Sequence, residues 1–363
     1  MYNYYRIAEL TLKSSFILCS FAAFACEPAG ADVTLEKTDE IPPDGGKQIS
    51  GSITHRKLSD GWFFTTRRTD EQGLYVSADY KHLRFYGAAG NELFGEAEWL
   101  IRIALECWFA RWGYISLHSA AVEVEGEAFL FSGPSGIGKS TRAFAWGKAL
   151  GAQLVNGDRP LIDVRNLELY GVPWDGKEKC FRNVHYPLKA ICEVRRSESC
   201  YVRAMTFGQR RKLLMRQSFM PMWDTETAAI QMANIARLAA GGNLVRAFSG
   251  PSDRDAQALY DALQQHKHLK EETDMKAKAG FVLRNVVDEY ILMPTGDNIG
   301  KFNGTVLLNE VSALGGEKLQ NPVSRDDLLK AILNEFEVEK AVAAADLDAL
   351  LEKLKGYGVI EEE

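Results

Sequence analysis

The chain has 363 residues, 46% of them apolar and 25% charged, a mix that builds packed cores and a length that suits two or three domains. Its net charge of −6 at pH 7 gives no reason to expect nucleic acid as the main partner, and no run approaches the roughly 20 apolar residues of a membrane span. The six cysteines (Cys19, Cys26, Cys107, Cys180, Cys192 and Cys200) contain no C-x-x-C pair and the six histidines no H-E-x-x-H, so buried thiols in a reducing, cytoplasmic compartment are expected.

Residues 1–113 read as a β-rich N-terminal domain followed by a connecting helix. Tyr4 to Leu12 fits a strand. Lys13 and the apolar run from Ser14 to Cys26 resemble a short secretory h-region, but Glu9 lies in the leader, and a buried helix of the first domain is the expectation. Pro42-Pro43-Asp44-Gly45-Gly46 is a loop, and the aromatic and β-branched runs at 61–66 and 83–86 are strands. From Asn91 to Trp112 the apolar residues Leu93, Trp99, Leu100, Ile103, Leu105, Trp108 and Phe109 recur at helical spacing, until Gly113 stops the helix.

Residues 114–265 read as an α/β nucleotide-binding core. A strand from Tyr114 to Val124 turns at Glu125-Gly126-Glu127 into the apolar strand 128–131. A Gly-rich loop, a helix from Ser140 to Leu150 and a strand at 153–155 follow. The last helix, Ser252 to Gln264, has an N-cap at Ser252 and buries Ala256, Leu259, Ala262 and Leu263 on one face. Residues 266–279 are dense in charge with little to bury, which reads as a linker. Residues 280–363 form a separate winged-helix-like module. It starts with a hairpin of 282–287 and 290–293 and a third strand at 301–308. Helices near 309–319, 324–335 and 339–356 complete it, with Ser324 capping the second and Gly358 ending the third.

The chemistry is carried by Gly133-Pro134-Ser135-Gly136-Ile137-Gly138-Lys139-Ser140, a complete G-x-x-x-x-G-K-[ST] motif followed by Thr141. Glycines let the backbone turn its N–H groups inward on phosphate oxygens, and the helix start adds its positive dipole end. Lys139 would reach the β- and γ-phosphates, and the Ser140 hydroxyl would bind Mg²⁺. A plain strand–turn–helix loop does not explain Lys139 or the three glycines.

Asp158, just past the 153–155 strand, is placed to touch Mg²⁺ or to deprotonate a hydroxyl, although Asn156-Gly157-Asp158 is also a good Asx-turn sequence. His118, inside the strand before the P-loop strand, is either a satisfied core histidine or a catalytic group. In the cluster from Gly171 to Glu178, Asp175, Lys177 or Glu178 could reach the phosphates, with an ordinary surface loop as the alternative. Arg195-Arg196 and Arg210-Arg211-Lys212 read first as solvated charge.

The segments Leu117–Val122, Phe129–Thr141 and Leu154–Arg159 resemble, in order, the kinase domain of HPr kinase/phosphorylase, and more closely its relatives in peptide-modification gene clusters. The resemblance covers roughly residues 114 to 262 and implies phosphorylation of serine hydroxyls with ATP and Mg²⁺. It places His118 on the family's active-site histidine and Asp158 on the second of its paired aspartates. Gly157 stands where HPr kinases carry the first aspartate, so the base role passes to Asp158 or to a residue near Asp175, and the phosphorylase activity is in doubt.

The tail, through Tyr290-Ile291-Leu292-Met293-Pro294, Phe302-Asn303-Gly304, Leu307-Leu308-Asn309-Glu310 and the helix through Asp346, Leu350 and Leu354, is similar to PqqD, a peptide chaperone. Leu314-Gly315-Gly316 departs from it where relatives keep an aromatic residue, which would loosen the first helix. The resemblance implies that a precursor peptide's leader is bound as an added strand, as in a RiPP recognition element. The edge would be 301–308, with Phe302, Val306, Leu308, Leu347, Leu350 and Leu354 forming its pocket.

The expectation is an α/β P-loop kinase core with a β-rich N-terminal domain and a C-terminal PqqD domain. It would phosphorylate a serine of a ribosomally made precursor peptide. The alternatives are a kinase for a free amino acid or sugar, and a nucleotide-gated peptide carrier without transferase activity. The sequence leaves a homo-oligomer open.

Overall fold

A computed structural model describes residues 2–41, 48–50, 53–66, 72–88, 90–174, 176–265, 275–278, 280–286, 289–295, 306–308, 310–320 and 323–362. Two compact units result: Met1–Arg203 with Arg210–His268, and Leu269–Glu363 with the short segment Ala204–Gln209.

The first unit opens on an eight-stranded sheet. In spatial order its strands are Asn3–Ile7, Leu10–Ser14, Val33–Thr38, His82–Tyr86, Gly73–Ser77, Gly61–Thr66, Ile53–Lys57 and Gln48–Ser50. The expected single strand at 4–12 is a hairpin, turning at Ala8 with φ 48° and pairing Ile7 with Leu10. The apolar run after it is not an α-helix. It forms the two-residue strand Ile17–Leu18 and a 3₁₀ turn, Cys19–Phe24, whose Phe21 and Phe24 are buried. Strand Gly61–Thr66 is buried at all six positions, because the helix Glu96–Arg111 packs on that sheet. This helix starts five residues later than the apolar pattern suggested, since Glu92–Leu93 pairs with Ile17–Leu18. It is buried around most of its circumference, which marks it as a core helix.

Its core runs from Tyr5 and Phe85 through Leu100 and Phe109 to Tyr114, Leu161, Val172 and Trp174. The expected domain boundary at 113/114 is therefore not a break in packing.

The second sheet of this unit has nine strands. The P-loop strand Glu127–Ser132 runs parallel to His185–Arg196, which runs parallel to Leu244–Ser249. Behind it, Phe129 and Phe131 pack edge-on or tilted against Trp146 of the helix Lys139–Leu150; each such buried aromatic contributes about 1.5–3 kcal/mol. Helix Asp253–Gln265 carries the expected cap: Ser252 Oγ accepts from Asp255 N, while Asp255 accepts from Ser252 N.

The expected strand 114–124 is broken. Tyr114–Ser116 pairs with Leu161–Asp163, whereas Ser119–Val124 pairs with Glu127–Ser132 and Gln153–Asn156. His118 lies in the break, not inside a strand.

In the second unit Phe281–Val286, Glu289–Pro294 and Val306–Leu308 form an antiparallel meander. Helices Glu310–Lys318, Arg325–Glu335 and Lys340–Gly356 follow. Ser324 accepts a hydrogen bond from Asp327 N, as its capping role requires. Helix Glu310–Lys318 continues through Gly315, where an added Cβ would stand 3.1 Å from Leu350 Cδ2, so the glycine serves close helix packing. Part of the expected linker is ordered: Met275–Ala277 pairs with Ile360–Glu362, while 266–274 lie outside the described residues. No helix among the described residues is long and apolar enough to cross a membrane.

Candidate active site

The loop after Glu127–Ser132 is shaped by its glycines. Gly136 and Gly138 have φ of 77° and 101°, the left-handed region that side chains with a Cβ rarely adopt. An added Cβ at Gly136 would meet nothing within 4 Å, whereas one at Gly138 would lie 2.8 Å from Arg142 Nη1. Pro134, Ser135, Gly136 and Thr141 are exposed, and Ile137, Gly138 and Ser140 are half-buried. The loop thus presents free space above a helix N-terminus, the arrangement a phosphate group needs.

Lys139 is 8% exposed, and its Nζ donates to the carbonyls of Gly133 (3.1 Å) and Pro134 (3.3 Å). Burial pulls its pKa down, with Asp158 opposing. Arg142, buried, donates through Nε to Ser249 Oγ (2.9 Å) and through Nη1 to the carbonyls of Ile137 and Gly138. It anchors the loop to the strand Leu244–Ser249. Arg196 Nη2 donates to Gly136 O (2.8 Å), so this arginine, read first as solvated charge, is at the loop. Arg195 pairs with Glu193 instead, and Arg210 reaches Ala239 O. A cleft of about 600 Å³ lies along Gly136, Thr141, Arg142, Arg196 and Ser249.

Asp158 and His118 meet where the strand breaks. Ser119 N donates to Asp158 O, Leu117 N to Pro160 O, and His118 N to Gln217 O. Asn156 sets the turn: fully buried, its Oδ1 accepts from the N–H groups of Asp158 (3.0 Å) and Arg159 (2.8 Å), and its Nδ2 donates to Trp174 O. The Asx turn is therefore made by Asn156, which leaves the Asp158 carboxylate free of it. Asp158 Oδ1 lies 3.8 Å from His118 Nε2, and its Oδ2 lies 3.7 Å from Arg102 Nη1.

His118 Nδ1 is 3.2 Å from Gln217 Oε1, and its Nε2 faces Asp158. Burial first, then Lys139 and Arg159, push the His118 pKa below its ordinary value, against Asp158 and Gln217. The imidazole is therefore neutral at pH 7.

Around Asp158 the loop 171–178 closes in. A Cβ on Gly176 would be 3.4 Å from Asp158 Cβ and 3.2 Å from Glu178 Oε2, so Glu178 is near the carboxylate. Lys177 is exposed with no contact to the site among the described residues, and Asp175 lies outside the described residues. Sequence reasoning missed Gln217 and Arg102. For Arg102 a signal existed: Arg102 and Glu106, four apart, are charged residues inside an apolar helical pattern.

A second cleft, of about 510 Å³, is lined by Arg102, Glu106, Asp158 and Arg159 together with an apolar wall. No group of three or more metal-ligating side chains occurs among the described residues. Ser140 and Asp158 can supply only part of a Mg²⁺ shell, which suits an ion that keeps waters and substrate phosphates as its other ligands.

In the second unit, Val306–Leu308 has a single neighbouring strand among the described residues. Leu347, Leu350 and Leu354 are 1%, 6% and 1% exposed and belong to that unit's core. They hold the helices together rather than lining an open pocket, because helices Glu310–Lys318 and Arg325–Glu335 cover that face. Phe302 lies outside the described residues.

No curated protein matches the chain. A solved structure of TbiB1 in complex with the TbiA(beta) leader peptide is similar over 24% of this chain and 94% of its own, at 20% identity and a TM-score of 0.21. Residues 289–360 match the family model of coenzyme PQQ synthesis protein D (PqqD), and the chain carries a PqqD domain at its C-terminus.

Proposed function

We propose that the chain is an ATP- and Mg²⁺-dependent kinase that phosphorylates a serine of a precursor peptide, whose leader docks on the C-terminal PqqD domain. The observation that carries this reading is the glycine-shaped loop at a helix start, with a cleft of about 600 Å³ along it, together with the Asp158 carboxylate in the wall of a second cleft and close enough to Lys139 to act on its charge. A phosphate cradle alone fits any nucleotide binder. A carboxylate that lines a separate cleft fits transfer from one ligand to another.

In this reading the N–H groups of Gly133–Thr141 and the Lys139 ammonium hold the phosphates, and Ser140 with Asp158 holds the metal. Mg²⁺ would supply charge neutralisation. Asp158 accepts the serine proton while the serine oxygen bonds to the γ-phosphorus, the bond from that phosphorus to the β-bridging oxygen breaks, and ADP leaves. His118, whose Nε2 lies 3.8 Å from Asp158 Oδ1, would cancel part of the carboxylate's charge only when protonated. The leader would add a strand along Val306–Leu308, where main-chain hydrogen bonds give affinity, and tethering raises the local concentration of the serine segment.

The test is mass spectrometry of short peptides encoded beside the gene, incubated with the full-length protein, ATP and Mg²⁺. One added phosphate on a serine is expected. Bound ATP with no modified peptide would contradict the transferase reading.

A further inference from the structure

The second cleft, beside Asp158, has a composition that selects its occupant. Its polar lining is two guanidiniums, Arg102 and Arg159, and two carboxylates, Glu106 and Asp158. Their formal charges cancel, so neither a strongly anionic nor a strongly cationic acceptor gains much from the site as a whole. The remaining wall is Trp99, Ile103, Phe219, Met220, Met222 and Trp223.

Glu106 is the unusual member. It lies on the core helix Glu96–Arg111, and its side chain is fully buried. One oxygen, Oε1, accepts from Ser116 Oγ and Arg102 Nη2. The other, Oε2, is sealed from solvent and has no hydrogen-bond partner among the described residues; Arg159 Nη1 is in the same condition. A buried acceptor left unpaired costs about 1–3 kcal/mol, which a ligand donor recovers. The cleft's lining thus holds one acceptor, Glu106 Oε2, and three donors, Arg102 Nε, Arg159 Nη1 and Trp223 Nε1, without a hydrogen-bond partner among the described residues, set among large apolar side chains. An extended peptide, with main-chain N–H and several C=O groups beside an apolar side chain, offers partners for both kinds.

We propose that this cleft is the acceptor subsite of the phosphotransfer reaction, and that it seats a peptide main-chain amide against Glu106 and a bulky apolar side chain against the Trp99–Met222 wall. The inference rests on the kinase reading above and narrows its substrate to an extended, apolar peptide segment around the serine, as opposed to a sugar, a sugar phosphate or a free amino acid. Glu106 is then a specificity residue that recognises substrate without joining the proton transfer.

The experiment uses the full-length protein with MgATP and a positional-scanning library of short peptides. Each peptide carries one fixed serine with every flanking position varied, and phosphate incorporation is read by mass spectrometry. At one position beside the serine, Leu, Met, Phe or Trp should exceed Asp and Lys by about tenfold or more. N-methylation of one amide in the best peptide should cost about tenfold, and in Glu106→Leu that penalty should vanish. Because Glu106→Leu could fail to fold, Met222→Lys serves as the second variant. Met222 is 71% exposed, so this change should leave the fold and the ATP KM unchanged while raising the KM of the apolar peptide. Photo-leucine placed beside the serine should crosslink within 219–223 or at Trp99. Phosphorylation with no flank preference and no N-methyl penalty overturns the inference and leaves the kinase reading standing. If no peptide is modified although ATP is bound, both fall.

Discussion

The two clefts, one along the Gly-rich loop and one at Asp158, are built in opposite ways. The one along the P-loop is made largely of backbone, glycines and short side chains from Gly136–Arg142, with Arg196 and Ser249 brought up beside them. The one at Asp158 is made of side chains from four distant segments: Ile53, Trp99–Glu106, Asp158–Arg159 and Phe219–Trp223. A phosphate is the same in every nucleotide, so backbone N–H groups suffice to hold it. An acceptor differs from one substrate to the next, and only side chains can encode that difference. In the proposed reading the first cleft would have a general role and the second a specific one, and each can be attacked separately.

The sharpest separation comes from Asp158, which lines only the second cleft. Asp158→Asn should lower the rate of phosphoryl transfer by about 10³–10⁴-fold while leaving ATP affinity within a few-fold, measured by single-turnover kinetics alongside nucleotide binding. Equal loss of both would merge the two clefts into one binding site. A smaller effect follows from removing residues 280–363. The kcat/KM for a leader-bearing peptide should fall by about 10²-fold, the scale of lost tethering, whereas a short leaderless peptide should be phosphorylated as before. The smallest effect is in pH. His118 titrates below its ordinary 6.5 because it is buried beside Lys139, so it is neutral and the rate flat above neutrality. As pH falls through the depressed value an imidazolium forms 3.8 Å from Asp158, the carboxylate becomes a weaker base, and the rate should drop several-fold. In His118→Gln the acid limb should move to lower pH.

What could be read in the sequence divides along the same line. The Gly133–Ser140 motif is contiguous, and glycine spacing reports backbone conformation directly, so the left-handed turns at Gly136 and Gly138 were legible. The strand–loop–helix around it, the Ser324 and Ser252 caps and the C-terminal hairpin were also local features. The break at His118 was not legible. Leu117 to Ser119 keeps an apolar strand pattern but is laced to Pro160, Gln217 and Asp158, partners that no local period reveals. The domain boundary at 113/114 failed for a related reason: the connecting helix buries nearly all its faces, so its core continues into Tyr114 and Trp174. Leu347, Leu350 and Leu354 show the reverse error, a helical apolar stripe read as a pocket when it fills the core. The acceptor cleft left only the charged pair Arg102 and Glu106 inside an apolar run, a signal that needs the fold to interpret.

The most direct test of the central claim is calorimetric titration of the full-length protein with ATP in the presence of Mg²⁺. The account predicts saturable binding of one nucleotide per chain, weakened about tenfold or more by Lys139→Ala through loss of its charge-assisted contacts. A folded protein that takes up no nucleotide, or a Lys139→Ala variant that binds it unchanged, would contradict the account.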